Sequence, residues 1–213
     1  MNLFLRRLLA LVPIGLALLA SGVARAEGEP PAAPDDTKVD VRIAAQIGGF
    51  SGADGGGPAI GVLGLGRYSS FEAGIDAQAG SALFRGGHGS VALAGGLGLV
   101  PAARWRIDLL GELGLDAYQG FGGSHLLSND PGANATLPFA GARAGVARRF
   151  RYFELGLGGT FGEDLTRQTV TYTYTERDRG PFFGGAGGPT TRTVTIGGER
   201  VGVMLALGSG FDL

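Results

Sequence analysis

The sequence lacks several residue types and motifs on which common functions depend. Its 213 residues include no cysteine and only two histidines, which excludes disulfides and thiolate metal sites and would leave a metal centre mainly to carboxylates. It has no Gly-x-Ser-x-Gly elbow, no Walker pattern and no His-Glu-x-x-His motif. These motifs carry nucleophilic serines, phosphate loops and catalytic zinc. We therefore predict no catalytic, cofactor-binding or metal-binding residue.

The first 26 residues have the pattern of a cleavable secretory signal peptide. Arg6 and Arg7 precede an apolar run over residues 8–20, and Ala24-Arg25-Ala26 is a small-x-small cleavage pattern. An N-terminal membrane anchor is the alternative. It is disfavoured because a spanning helix needs roughly 20 apolar residues, whereas this run is shorter and is interrupted by Pro13.

The mature chain is mildly acidic and begins with a segment that is poor in apolar residues. Cleavage removes three arginines, so the formal net charge of −1 becomes about −4, which is not the basic balance typical of nucleic-acid-binding proteins. Residues 27–37, EGEPPAAPDDT, are acidic and rich in proline and carry no apolar period. We expect a disordered lead-in there.

From residue 38 to residue 213 the chain alternates apolar and polar residues between glycine-rich breaks. In the first segment Val41 and Ile43 share one face while Asp40 and Arg42 share the other, the period of two that a strand requires. The 42 glycines, far above the average usage of roughly 7%, exclude a mostly helical protein. Eight strands are predicted, at residues 38–49, 58–67, 71–83, 90–100, 105–118, 137–147, 152–162 with a polar continuation to 177, and 191–213.

The predicted connections alternate in length, which is typical of an antiparallel up-and-down barrel. Short turns at one end and longer loops at the other match the two ends of bacterial outer-membrane barrels, for which eight is the smallest usual strand number. The tight turns fall at 68–70, 101–104 and 148–151, and the long loops fall at 50–57, 84–89, 119–136 and 178–190.

One face of the predicted strands carries no charge, and this face is assigned to lipid. In the fifth strand Ile107, Leu109 and Leu113 alternate with Asp108 and Glu112, and seven strands show a comparable uncharged phase. A charge on the lipid face costs about 2–4 kcal/mol at the midplane. Strand two is apolar on both faces, so its phase stays open. The alternative is a soluble, lipocalin-like barrel with an apolar interior.

Aromatic residues near the strand ends favour the membrane barrel over the soluble one. The pattern predicts two interfacial girdles, as membrane barrels have. One girdle would lie at the tight turns and the other at the long loops, formed respectively by Tyr68, Phe71, Trp105, Phe150, Tyr152 and Phe153, and by Phe50, Phe84, Tyr118, Phe121 and Phe139.

The signal peptide, the eight alternating strands and the apolar phase that runs to the last residue resemble the OmpA/OmpX-like family of small outer-membrane barrels. The resemblance covers residues 38–213 and is architectural. It implies an outer-membrane, monomeric, lipid-embedded barrel whose C-terminal strand is recognised by the barrel-assembly machinery. Phe211 and Leu213 would carry that signal. Because fold does not settle function, no ligand is implied.

The charged face of the strands predicts a filled polar lumen. Eight strands enclose only enough space for side chains, so the inward charges should form a packed network in which Arg42 and Arg143 are counter-ions to acids such as Asp76 and Glu112. A small gated, porin-like ion pathway is the alternative. The predicted network comprises Arg42, Asp76, Arg106, Asp108, Glu112, Arg143 and Glu154.

One stretch resembles an enzyme. His125-Leu126-Leu127-Ser128-Asn129 is distantly similar to the His-x-Ser-Asn stretch of the lipid A deacylase barrels, but a spacing of three places His125 and Ser128 on opposite strand faces. We therefore expect a polar loop there, and interpret His88 as a loop residue too.

The segment at about 163–197 predicts a surface hairpin. Residues 169–175 and 190–196 alternate threonine with tyrosine, valine and isoleucine around a glycine-rich turn. The expected structure extends strands seven and eight beyond the membrane, where unpaired edges could accept a strand from an extracellular protein. The predicted function is thus a non-enzymatic outer-membrane barrel serving envelope structure or surface interaction. The alternative is a transporter or a lipid-modifying barrel.

Overall fold

The computed structural model describes residues 39–52, 55–82, 86–102, 104–123, 130–150, 152–175 and 188–212. The signal peptide, the lead-in, His125, Ser128 and Leu213 lie outside them. Within these ranges no helix is long and apolar enough to span a membrane. Ten strands are present: β1 (Val39–Gly52), β2 (Gly55–Tyr68), β3 (Phe71–Ala82), β4 (Gly86–Ala102), β5 (Trp105–Phe121), β6 (Ala133–Arg149), β7 (Glu154–Asp164), β8 (Gln168–Thr175), β9 (Pro189–Ile196) and β10 (Glu199–Asp212).

Eight of these strands close into an antiparallel barrel. Their order around the barrel is β1-β10-β7-β6-β5-β4-β3-β2. Each wall strand therefore pairs with the next wall strand of the chain, and β8 and β9 leave the wall. The last strand closes the barrel by pairing with the first, from Asp40 opposite Asp212 to Gly52 opposite Arg200. The predicted all-β, eight-stranded, up-and-down transmembrane barrel is confirmed.

The apolar phase of the strands faces outward. Leu93, Leu113 and Ile60 are 70%, 64% and 63% exposed on the outer wall, and a soluble carrier would instead bury such side chains inside. The soluble alternative is therefore wrong. The phase of strand two is now assigned as well: Leu63 and Leu65 are buried inside the barrel, while Ile60 points outward.

Several strands are longer than predicted at the end that carries the long connections, called here the long-loop end. β4 begins at Gly86, where Gly87 and His88 pair with residues 119 and 118 of β5. The glycine-rich stretch does not break the strand, because the neighbouring strand supplies hydrogen bonds to its backbone. The opposite end, where the turn at 69–70 joins β2 to β3 and where β4 is followed by β5 and β6 by β7, is called the short-turn end.

The predicted eighth strand is wrong as a single element. Gly197, with φ of +111°, and Gly198 separate β9 from β10, and residues 165–167 separate β7 from β8. Glycine populates this left-handed region without the steric penalty of a side chain. The β8–β9 hairpin therefore forms its own two-stranded sheet instead of continuing the wall.

Candidate functional site

The inner wall of the barrel carries one group of charged side chains near the short-turn end, called here the lower cluster. Arg42 donates to Asp108 Oδ2 at 2.5 Å and to Glu154 Oε1 at 2.8 Å. Arg106 donates to the other Asp108 oxygen at 3.0 Å, reaches Asp40 at 3.3 Å and pairs with Glu72. Asp108 therefore joins two arginines. The cluster comprises Asp40, Arg42, Glu72, Arg106, Asp108 and Glu154, all buried.

A second group, the upper cluster, lies closer to the long-loop end. Arg143 donates to Asp76 Oδ2 at 2.5 Å, while Arg200 pairs with Asp116 and stands 3.9 Å from the centre of the Phe139 ring. Glu112 is buried beside them, and its Oε1 atom has no hydrogen-bond partner among the described residues. The cluster comprises Asp76, Glu112, Asp116, Arg143 and Arg200.

Apolar side chains separate the two clusters on one side of the lumen. Along β5, Leu110 stands between Asp108 of the lower cluster and Glu112 of the upper one, and it packs with Leu63, Leu65 and Ala94, all buried. On the other side a void of about 20 Å³ lies between Arg42 and Arg143, room for about one water. Ions would have to cross an apolar layer or displace arginines.

Aromatic side chains cap the lumen at the long-loop end. Ring centres of Phe50 and His88 are 5.0 Å apart, those of His88 and Tyr118 are 5.0 Å apart, and those of Tyr118 and Phe121 are 5.6 Å apart. The predicted second girdle is therefore wrong, because these rings and Phe139 point into the barrel. Phe84 lies outside the described residues. His88 is also not a loop residue, since it lies in β4.

The hairpin folds over this cap. Val170, Tyr172 and Val194 pack against Tyr118, Phe121, Ala133, Ala135, Leu137 and Ile196. Arg192 fixes the hairpin laterally by donating to Asp130 Oδ2 at 2.8 Å and to the Gly122 carbonyl at 3.0 Å. Partial burial, together with the nearby carboxylate of Asp130, raises the pKa of the Tyr172 phenol.

The carboxylate of Asp164 links the cap to the turn at Gly197 and Gly198, between β9 and β10. The Tyr118 hydroxyl donates to Asp164 Oδ2 at 2.7 Å, and the Gly198 amide donates to the same oxygen at 3.0 Å. One side chain at the end of β7 therefore holds both a cap ring and the turn that redirects the chain into β10.

Glycines on the inner wall make room for the long inward side chains. A Cβ atom at Gly98 would lie 1.8 Å from Glu72 Oε1, and one at Gly114 would lie 2.7 Å from the Phe139 ring. The abundant glycine thus does more than exclude helix, because it lets side chains cross a narrow lumen. The sequence interpretation missed this role.

All seven residues of the predicted network point inward and are buried, but the pairing differs in part from the expectation. Arg143 meets Asp76, whereas Arg42 contacts Asp108 and Glu154 instead of Asp76 or Glu112. Arg200 was missed, although it shares the inward phase opposite Val201 and Val203. Among the described residues, no three His, Asp or Glu side chains form a group that could hold a metal ion.

The C-terminal assembly signal is only partly described. Phe211 pairs through its backbone with Val41 in the closing seam of the barrel, but its side chain and Leu213 lie outside the described residues. Their role in assembly stays a prediction.

Comparison with known proteins adds one architectural likeness. No protein-family model and no curated protein matches this sequence. Among solved structures the chain is similar to the crystal structure of Neisserial surface protein A (NspA), at 11% identity and a TM-score of 0.52 over 81% of this chain and 97% of that chain. At such identity the likeness shows the fold alone, a small eight-stranded barrel of the outer-membrane type. Membership of the OmpA/OmpX family stays a prediction.

Proposed function

We propose that this protein is a non-enzymatic outer-membrane barrel with a filled lumen, which serves as a rigid anchor for the β8–β9 hairpin at the cell surface. The observation that carries the proposal is that successive layers of side chains fill the lumen and leave no path for ions. The lower cluster, the apolar layer around Leu110, the upper cluster and the aromatic cap follow one another, and the void between the clusters holds about one water. A gated transporter would need a continuous hydrated path instead.

The proposed location follows from the outer wall and from the likeness to a surface protein of the same architecture. Uncharged, apolar side chains cover the middle of that wall, as a lipid-facing surface requires. In fractionated cells the mature protein should be found in the outer membrane and should run faster unheated than boiled on a denaturing gel. Recovery in the soluble periplasm would contradict the proposal.

The hairpin is the element proposed to meet an extracellular protein. Its inner face is occupied by the cap, whereas Thr169, Thr171 and Thr173 are exposed on its outer face and pair with Thr195, Thr193 and Thr191 through hydroxyls 3.0–3.2 Å apart. Among the described strands none pairs with the outer edges of β8 or β9. Such edges accept an added strand from a partner, with main-chain hydrogen bonds providing affinity.

Deletion of the hairpin tests whether the barrel folds without it and whether surface binding depends on it. Replacing residues 169–195 by a short glycine turn should leave the heat-modifiable barrel intact, because the eight wall strands and both charged clusters remain. Bacteria that carry the full protein should bind a component of a panel of immobilised matrix and serum proteins, and the deletion should abolish that binding. Equal binding by both forms would contradict a role for the hairpin.

The proposed absence of catalysis has its own test. Lipid A extracted from cells with and without the protein should show the same acyl chains by mass spectrometry. Loss of an acyl chain that depends on Ser128 would favour the deacylase alternative.

A further inference from the structure

The outer wall at the short-turn end holds a cation between two aromatic rings. Arg148 stands in β6 directly opposite Trp105 in β5. Its guanidinium carbon lies 5.5 Å from the centre of the Trp105 ring and 5.4 Å from that of Phe150, within the range of cation–π attraction. Phe150 in turn stacks on Phe153 with ring centres 4.7 Å apart. The rings hold the guanidinium in one place at the edge of the barrel.

Arg148 differs from three neighbouring arginines because it has no carboxylate partner among the described residues. Arg42, Arg106 and Arg149 all reach carboxylates inside the lumen. Arg148 is exposed, and none of the described carboxylates lies within ion-pair distance of it. Aromatic rings attract a cation but accept few of its five N–H donors, so the site has hydrogen-bonding capacity left over.

The position of Arg148 along the strand places it at the boundary of the lipid face. The preceding outward residue of β6, Val146, pairs with Ile107 and Leu157, which belong to the apolar wall. Two residues of strand span about 6.7 Å, so the guanidinium lies just beyond the apolar band. Exposed aromatic residues at the same end, among them Tyr68, Phe71 and Tyr152, mark the interfacial layer.

We infer that Arg148, Trp105 and Phe150 form a binding site for the phosphodiester of a membrane glycerophospholipid. The guanidinium fork matches two oxygens of a phosphate group. The flanking rings and the apolar wall above them would contact the glycerol and acyl part of the same molecule. A free phosphate ion could contact the guanidinium but not the rings or the apolar wall. The whole site therefore fits a lipid.

The test uses Trp105 as a reporter, because it is the single tryptophan of the chain. Folded protein in a neutral maltoside detergent is titrated with phosphatidylglycerol while tryptophan emission is recorded. We expect a saturable change that weakens as salt is raised. Diacylglycerol with the same chains and inorganic phosphate should each give no saturable change in the same range. A saturable change with diacylglycerol would contradict recognition of the phosphate. An equal saturable change with inorganic phosphate would contradict recognition of a lipid.

Variants distinguish binding at this site from nonspecific attraction between the lipid and any exposed arginine. Arg148→Gln should weaken phosphatidylglycerol binding by about tenfold or more, as loss of a charge-assisted hydrogen-bonded contact does. Arg167→Gln is the matched control, since Arg167 is an exposed arginine at the long-loop end and should bind lipid unchanged. Arg148→Lys and Phe150→Leu should each weaken phosphatidylglycerol binding by less than Arg148→Gln does. The first keeps the charge but removes the guanidinium fork, and the second removes one aromatic ring.

Folding of each variant is checked by heat-modifiability, and retained lipid is counted independently by native mass spectrometry. If Arg148→Gln does not fold, the Arg148→Lys and Phe150→Leu variants decide. Binding by folded Arg148 variants that equals binding by the unmodified protein would overturn the inference.

Discussion

The two ends of the barrel use the same types of side chain in opposite orientations. At the short-turn end Tyr68 and Phe71 stand on the outer wall and are more than half exposed. At the long-loop end Tyr118 and Phe139 point inward and are 6% and 2% exposed. The position of an aromatic residue along a strand therefore does not decide its role. The phase of alternation decides it.

Phase also explains what each end does. Trp105 shares its phase with the apolar wall residues of β5, and so it faces the lipid interface, where amphipathic rings are favoured. Tyr118 shares its phase with Asp108 and Asp116, and so it lies inside and closes the lumen. One end therefore anchors the barrel in the membrane, and the other end seals it.

Loss of one arginine should destabilise the lower cluster more than the upper cluster. Arg106→Gln leaves three buried carboxylates with less compensation, so the free energy of unfolding should fall by about 3–5 kcal/mol. Arg200→Gln, at the other end, should cost less because Arg200 forms an ion pair with a single carboxylate of the described residues, Asp116. Urea unfolding in lipid vesicles measures both. A smaller loss for Arg106→Gln than for Arg200→Gln would reverse the ranking of the clusters.

A second prediction tests the outer wall between the two ends. Leu109→Arg puts a charge on the apolar band and should cost about 2–4 kcal/mol of folding free energy in a bilayer. Gln119→Arg lies on the same face of the same strand but near the long-loop end, and it should cost about 0–1 kcal/mol. Equal costs in the same urea titration would mean that the apolar band has been misplaced.

The smallest predicted effect compares one tyrosine hydroxyl at each end. Tyr118→Phe removes one of the two donors to Asp164 Oδ2, which keeps its bond from the Gly198 amide, and should lower the free energy of unfolding by about 0.5–1.5 kcal/mol, the usual net contribution of one hydrogen bond. Tyr68→Phe changes an exposed hydroxyl and should stay within about 0.5 kcal/mol of the unmodified protein. If both substitutions are neutral, the hydroxyl link does not stabilise the cap.

The barrel and the inward direction of its charges could be predicted because both depend on local alternation. Asp108, Glu112 and Asp116 share one phase of a single strand, so their common face needs no knowledge of other strands. The same rule, applied to Tyr118, would have placed its ring inside the lumen, whereas Phe121 faces inward because the pairing register shifts between Tyr118 and Phe121. The error arose from interpreting aromatics by their distance from a turn.

The contacts inside the lumen could not be predicted, because they depend on the register of distant strands. Arg42 and Glu154 are 112 residues apart in sequence and meet inside the lumen from β1 and β7, which are separated in the wall by β10. The fold of the hairpin was equally out of reach, since alternation continues through β8 and β9 while Gly197 and Gly198 redirect the chain. Glycine marks a possible bend without stating its direction.

Conductance of single channels in planar bilayers tests the closed lumen most directly. The folded, unmodified protein should give no large, steady current at neutral pH, because the lower cluster, the apolar layer, the upper cluster and the cap leave no continuous water path. A deletion of residues 169–195 should also stay closed, since the clusters lie below the hairpin. Large, steady single-channel currents from the unmodified protein would contradict the filled lumen and with it the proposed anchoring role.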